Sequence, residues 1–185
     1  MTTTITNPEA KTMTQRQFPR FDETNAPPAA RDALAVNKRL FGAIPEPLAR
    51  YASSPVMLGA ALAGLETFEK TTLAPLEREV LAMTMGRVNG CKFCLDLHSR
   101  LLKTQKAPAE LISALQAGEP LTDHRLESLR TFVLAMLDRR GDVTPAAWTN
   151  FREAGYTHEQ ALEVVTGISV YTLTTFANRL TETSE

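Results

Sequence analysis

The sequence predicts an all-α fold. Proline recurs where helices open, apolar residues recur at helical spacing, and no two alternating runs flank a tight turn as a β-hairpin would require. Pro28 opens a helix through about Leu40, Pro47 a short segment ending near Ala52, and Pro55 a helix running towards Lys70. Ala74-Pro75 places proline at the first helical position, where its missing N–H costs nothing. That helix runs to Val88 and stops at Asn89-Gly90, since glycine readily takes the left-handed conformation that ends helices. A further helix begins at about Cys91, and Pro108 opens a short one. Thr122 is the expected cap of the next, in which Leu126, Leu129, Phe132, Val133, Met136 and Leu137 trace one apolar face. Arg139, Arg140 and Gly141 close it, and Thr144-Pro145 starts another. Thr157 and Gln160 form a capping-box pattern ahead of the last long helix. Residues 164–176 are rich in β-branched side chains, so a strand competes there, but the capping pattern favours helix. The expected total is about eight helices, with Gly59, Gly64, Gly86 and Gly167 marking close helix–helix approaches.

Residues 1–27 lack periodicity and are rich in Thr, Pro, Gln and charge. They read as a flexible N-terminal arm, ordered near Phe18 and Phe21 against a neighbouring subunit. Residues 28–185 form a single domain, because the proline-rich breaks are too short to separate two. The chain has 185 residues, 43% apolar and 22% charged, with a net charge of −1, so no global field draws it to nucleic acid or to an anionic membrane. The apolar stretch 55–65 is too short to span a bilayer, and 161–177 carries Glu163 and several threonines. No basic region followed by an apolar one opens the chain, so the expected location is cytoplasmic. Part of the apolar surface of these stretches is expected to be buried between subunits.

The two cysteines, Cys91 and Cys94, are too close in sequence to staple a fold. With His98 they form C-x2-C-x3-H, positions i, i+3 and i+7 of one helical stripe. The start of a helix favours an anion, here a thiolate, and Lys92 and Arg100 add positive charge nearby. His98 lies one turn beyond Cys94 and can exchange a proton beside the sulfur. A break at Asn89-Gly90 folds the preceding helix back as an antiparallel neighbour, which brings Glu79 level with His98. Glu77 is the rival. It lies ~200° round the same helix, so only one of the two carboxylates faces the cysteines. Glu77 also suits a capping role in the first turn, yet the apolar positions Leu73, Leu76, Val80 and Val88 lie nearer Glu77, and periodicity leaves both open.

The pattern Glu79-x11-Cys91-x2-Cys94-x3-His98, with L-x-P-x-E-R-E before it, resembles the AhpD-like alkylhydroperoxidase branch of the carboxymuconolactone decarboxylase family. The likeness covers roughly 47–180 and includes the closing YTLTTFANRL segment. It implies an AhpD-like helical bundle that assembles as a homo-trimer or homo-hexamer. It further implies a thiol-dependent peroxidase in which Cys94 attacks a hydroperoxide, Cys91 resolves it as a disulfide, and His98 and Glu79 relay protons. A dithiol or lipoyl-type compound would be the reductant, with no cofactor and no metal. Relatives with decarboxylase activity generally lack the cysteine pair. Where AhpD itself often has a histidine between the cysteines, Lys92 and Phe93 stand here.

The competing readings are a buried apolar cysteine pair, a disulfide reductase or redox sensor without peroxidase activity, and a decarboxylase-like lyase kept only by fold analogy. A zinc site would need a fourth ligand, and only His124 and His158 remain, each alone on a polar segment. A c-type haem motif needs histidine at position 95, which is leucine. His98 could be a core histidine, but its register with both cysteines favours function. Trp148 and Met136 read as core, and Lys103 and Lys106 as a solvated face. Asn178 matches a recurrent asparagine of the family near the end of the last helix, without an assignable role.

Overall fold

A computed structural model of the protein describes residues 18–181. Among the described residues there are nine helices and no strand: α1 (Pro28–Phe41), α2 (Glu46–Tyr51), α3 (Pro55–Glu69), α4 (Pro75–Val88), α5 (Lys92–Thr104), α6 (Ala109–Ala117), α7 (His124–Asp138), α8 (Pro145–Glu153) and α9 (His158–Leu180). No helix among them is long and apolar enough to cross a membrane.

The helix boundaries follow the capping chemistry. Ser54, Thr144 and Thr157 accept the N–H of Met57, Ala147 and Gln160, and Gln160 returns a bond to the Thr157 N–H at 3.0 Å. One expected cap is displaced: Asp123, not Thr122, caps α7 by accepting the Leu126 N–H at 2.9 Å. Its carboxylate faces the free N–H groups of the first turn and adds a favourable charge to the helix dipole, which a threonine hydroxyl does not. The β-branched run 164–176 is helical throughout. Its hydroxyls are absorbed by the helix itself, Ser169 and Thr174 donating to the carbonyls of Val165 and Val170 at 2.9 and 3.0 Å, and Thr175 to that of Tyr171.

The central element is α4. It packs against α5, α6, α7 and α9. Burial of Val80, Leu81, Ala82, Met83 and Met85 wraps most of its circumference, the pattern of a helix inside a core rather than on a surface. The main apolar cluster joins these residues to Phe68, Leu102, Leu129, Phe132, Phe151 and Tyr156. A smaller cluster joins Ala30, Leu34, Leu48, Tyr51 and Leu58, and Phe21 packs against it. The Phe21 N–H donates to the Ala49 carbonyl at 2.9 Å and Arg50 donates to that of Phe18 at 2.9 Å, so this stretch is tied to α2 of its own chain. Residues 1–17 of the expected arm lie outside the described residues.

Gly167 lets α9 approach the core closely: a Cβ there would lie 2.6 Å from Phe68 Cε2 and 2.7 Å from Leu81 Cδ1. Gly64 and Gly86 are also contact points, with Val170 at 3.1 Å and Cys94 Cβ at 3.3 Å from the same construction. Gly59 does not mark an approach, since nothing lies within 4 Å of its added Cβ. Gly167→Ala is therefore expected to cost about 1–3 kcal/mol through overpacking, whereas Gly59→Ala gains about 0.5–1 kcal/mol from reduced unfolded-state entropy. Urea unfolding of the two variants checks the opposite signs.

Candidate active site

The α4–α5 turn positions the site. The Gly90 N–H bonds the Arg87 carbonyl at 3.2 Å and the Cys91 N–H bonds that of Gly86 at 2.8 Å, the paired bonds of a Schellman motif. Gly90 takes φ +63°, which a side chain would strain. Cys91 thereby ends α4 and caps α5 in the same step, its Sγ accepting the Cys94 N–H at 3.3 Å. From α9, Arg179 donates to the Asn89 carbonyl at 2.9 Å, and Asn89 Nδ2 donates to Thr175 Oγ1 at 2.8 Å. The turn is thus held at its own backbone and from the last helix.

Cys91 and Cys94 form a disulfide across the first turn of α5, with their Cα atoms 5.3 Å apart. Both are enclosed, at 2% and 4% exposure. His98 follows one turn later, also buried, and its Nδ1 lies 2.8 Å from Glu79 Oε2 on α4. An ionised carboxylate only accepts, so this bond places the proton on Nδ1 and leaves Nε2 as the available ring nitrogen. The imidazole meets the ring of Tyr171 edge-on at 5.4 Å between centroids. Burial, reinforced by the negative charge of Glu79, pushes the Tyr171 phenol well above its ordinary pKa and keeps it neutral.

The geometry separates the two glutamates. Glu77 accepts the Ala74 N–H at 2.8 Å and Arg125 Nε at 2.7 Å, so both of its oxygens serve the start of α4 and its tie to α7. Glu79 points to the other side, to His98. Cys91, Cys94, His98 and Glu79, named from the sequence, are all buried, with His98 one turn beyond Cys94 on α5 and Glu79 bonded to it from α4. His124 and His158 are exposed at the first positions of α7 and α9, and the His158 ring lies tilted against that of Trp148, 5.4 Å between centroids.

Two polar residues without a role in the sequence reading complete the surroundings. Asn178 Nδ2 lies 3.3 Å from Cys94 Sγ and 3.7 Å from Cys91 Sγ. The Tyr51 hydroxyl, brought in by α2, lies 2.5 Å from Asn178 Oδ1 and 3.0 Å from the Thr174 carbonyl oxygen. The recurrence of Asn178 was a signal without a mechanism. Tyr51 carried none, because its contact spans 127 residues of sequence.

Residues 57–122, which hold Glu79, both cysteines and His98, match the model of the carboxymuconolactone decarboxylase family. No curated protein matches the chain in sequence. Among solved structures, an uncharacterized peroxidase-related protein from Ralstonia eutropha JMP134, described as an alkylhydroperoxidase AhpD core, is similar at a TM-score of 0.77 and 18% identity, over 88% of this chain and 88% of that one. An uncharacterized peroxidase-related protein from Silicibacter sp. TM1040 is similar at 0.75 and 20% identity, over 94% of this chain and 95% of that one. At these identities the structural likeness speaks for the fold, and the family likeness is that of the matched segment. The chain thus has the AhpD-like all-helical fold, and its segment 57–122 resembles the carboxymuconolactone decarboxylase family.

Proposed function

We propose that the protein is a thiol-dependent peroxidase of the alkyl hydroperoxide reductase type, cycling through the Cys91–Cys94 disulfide. The observation that carries this reading is the disulfide at a helix start beside the buried Glu79–His98 pair. In the reduced enzyme the Cys94 thiolate attacks the terminal oxygen of a hydroperoxide. The O–O bond breaks, sulfur is oxidised to a sulfenic acid, and the alkoxide leaves with a proton delivered through His98. The Cys91 thiol then attacks the sulfenic sulfur and water departs, forming the disulfide. A dithiol or lipoyl-type reductant restores both thiols by exchange and becomes the cyclic disulfide itself. Glu79 orients the imidazole and supports its charged form during transfer. A cytoplasmic location suits this cycle, since a reducing compartment returns the pair to dithiol.

Peroxide consumption with a dithiol present tests the assignment. Cys94→Ser is expected to abolish both turnover and sulfenic acid formation, and Cys91→Ser to abolish turnover while a sulfenic acid accumulates. Substantial turnover by both single variants overturns the mechanism. A wild type that forms the disulfide reversibly but consumes no peroxide points instead to a reductase or sensor.

The two glutamates provide a second check. Glu79→Gln is expected to lower the rate of Cys94 oxidation by about 10²-fold or more, as for loss of a proton-relay group, with modest change in stability. Glu77→Gln should do the reverse, costing about 1–3 kcal/mol of stability by weakening a buried cap and ion pair while leaving the oxidation rate nearly intact. Stopped-flow oxidation alongside urea unfolding separates the two.

A homo-trimer or homo-hexamer is part of the same reading. Leu162, Val165, Leu173, Phe176 and Leu180 lie on α9 at 36–72% exposure, an apolar stripe suited to burial between subunits. Sedimentation equilibrium is expected to give a trimeric or hexameric mass, and a monomer would contradict it.

A further inference from the structure

We propose that Asn178, held in orientation by Tyr51, donates a hydrogen bond that stabilises the Cys94 thiolate of the reduced protein. This deepens the thiol chemistry proposed above and rests on it for its catalytic consequence. The bond itself is a property of the reduced protein and can be measured without any peroxide.

The orientation of the amide follows from its two neighbours. The 2.5 Å separation between Asn178 Oδ1 and the Tyr51 hydroxyl lies in the O–H···O range and is too short for N–H···O. Tyr51 is 4% exposed, and burial pushes its phenol above the ordinary value, so it stays protonated and able to donate. The one phenol hydrogen has a second acceptor in the Thr174 carbonyl oxygen at 3.0 Å, but the shorter contact directs it to the amide oxygen, and the NH₂ group is turned to the sulfurs. Asn178 is itself only 5% exposed, so water does not compete freely for that NH₂.

A disulfide sulfur accepts hydrogen bonds weakly and gains little from this donor. A thiolate is a full anion, and in an enclosed apolar site it needs donors to offset its desolvation. Asn178 Nδ2 is closer to Cys94 Sγ, at 3.3 Å, than to Cys91 Sγ, at 3.7 Å, so the donor favours charge on Cys94. The ionisable groups on the surrounding elements are accounted for otherwise. Glu79 on α4 and His98 on α5 bond each other, and Tyr171 on α9 is held neutral. Arg179 on α9 is spent on the Asn89 and Gly90 carbonyls. Lys92 and Asp96 lie on α5 itself, Lys92 exposed and Asp96 half-buried. Asn178 is the neutral donor that reaches the sulfurs from another helix, and Tyr51 is its positioning residue.

The test is a pH titration of the thiolate ultraviolet absorbance in the reduced full-length protein. A Cys91→Ser background isolates Cys94, and serine keeps the α5 cap. Asn178→Leu preserves side-chain volume without the donor and is expected to raise the Cys94 midpoint by about 1 pH unit or more. Tyr51→Phe frees the amide to turn its oxygen to the sulfur, and should raise the midpoint by a smaller amount. Added to Asn178→Leu, it should raise it no further. A merely structural role would lower the melting temperature and leave the midpoint in place. An unchanged midpoint in Asn178→Leu, or, where that variant does not fold, in Tyr51→Phe, overturns the proposal. So does an additive shift in the double variant. If the wild type consumes no peroxide yet the midpoints move as stated, the peroxidase reading falls and this one stands. Active wild type with unmoved midpoints gives the reverse.

Discussion

The reversal of the chain between α4 and α5 is the constraint on which the site depends. Gly90 takes a left-handed conformation, and the two bonds to the Gly86 and Arg87 carbonyls close the end of α4. Because the reversal takes only Asn89 and Gly90, Cys91 falls at once into the cap position of α5. Its sulfur is then fixed against the first turn of that helix, and Cys94 is brought within bonding distance of it. The same reversal lays α5 back along α4, so that Glu79 and His98, 19 residues apart, meet at 2.8 Å. A longer connection would satisfy the helix ends equally well but would leave both relationships loose.

The cluster is costly to bury, and its polar groups are matched accordingly. Glu79 and His98 bond each other, Asn178 spans between a phenol and the sulfurs, and Tyr51 reaches a backbone carbonyl as well. A buried polar group left without a partner costs more than a typical hydrogen bond contributes, so such a network is stable only when complete. The elements that complete it come from opposite ends of the chain: α2 brings the phenol, α9 the amide and the arginine that fastens the turn. The core helix α4 anchors α9 through ordinary apolar packing, while α2 packs on α3 in the smaller cluster.

Much of this was legible beforehand, for local reasons. Proline at a first turn, a threonine three residues before a glutamine, and Asn-Gly after an apolar run act within one turn of chain, so α4 runs Pro75–Val88 as expected and α9 begins at its capping box. The cysteine–histidine spacing is likewise local, since i+3 and i+7 define a helical stripe whatever surrounds it. The displaced cap at Asp123 shows the limit of such reasoning. Two adjacent residues could each serve, and the carboxylate of Asp123 takes the cap.

What the sequence by itself determined is the set of helices, the reversal at Asn89-Gly90 and the presence of two thiols and an imidazole on one stripe. All of these follow from contacts within a few residues. The tertiary structure decided which glutamate faces the histidine, because that depends on which neighbour each side of α4 meets. Arg125 of α7 and the Ala74 N–H claimed Glu77, and His98 claimed Glu79. It also decided the place of Asn178 and Tyr51, whose contacts with the site span 84 and 127 residues. No periodicity encodes such pairings, since they arise only when separate helices settle against a common core.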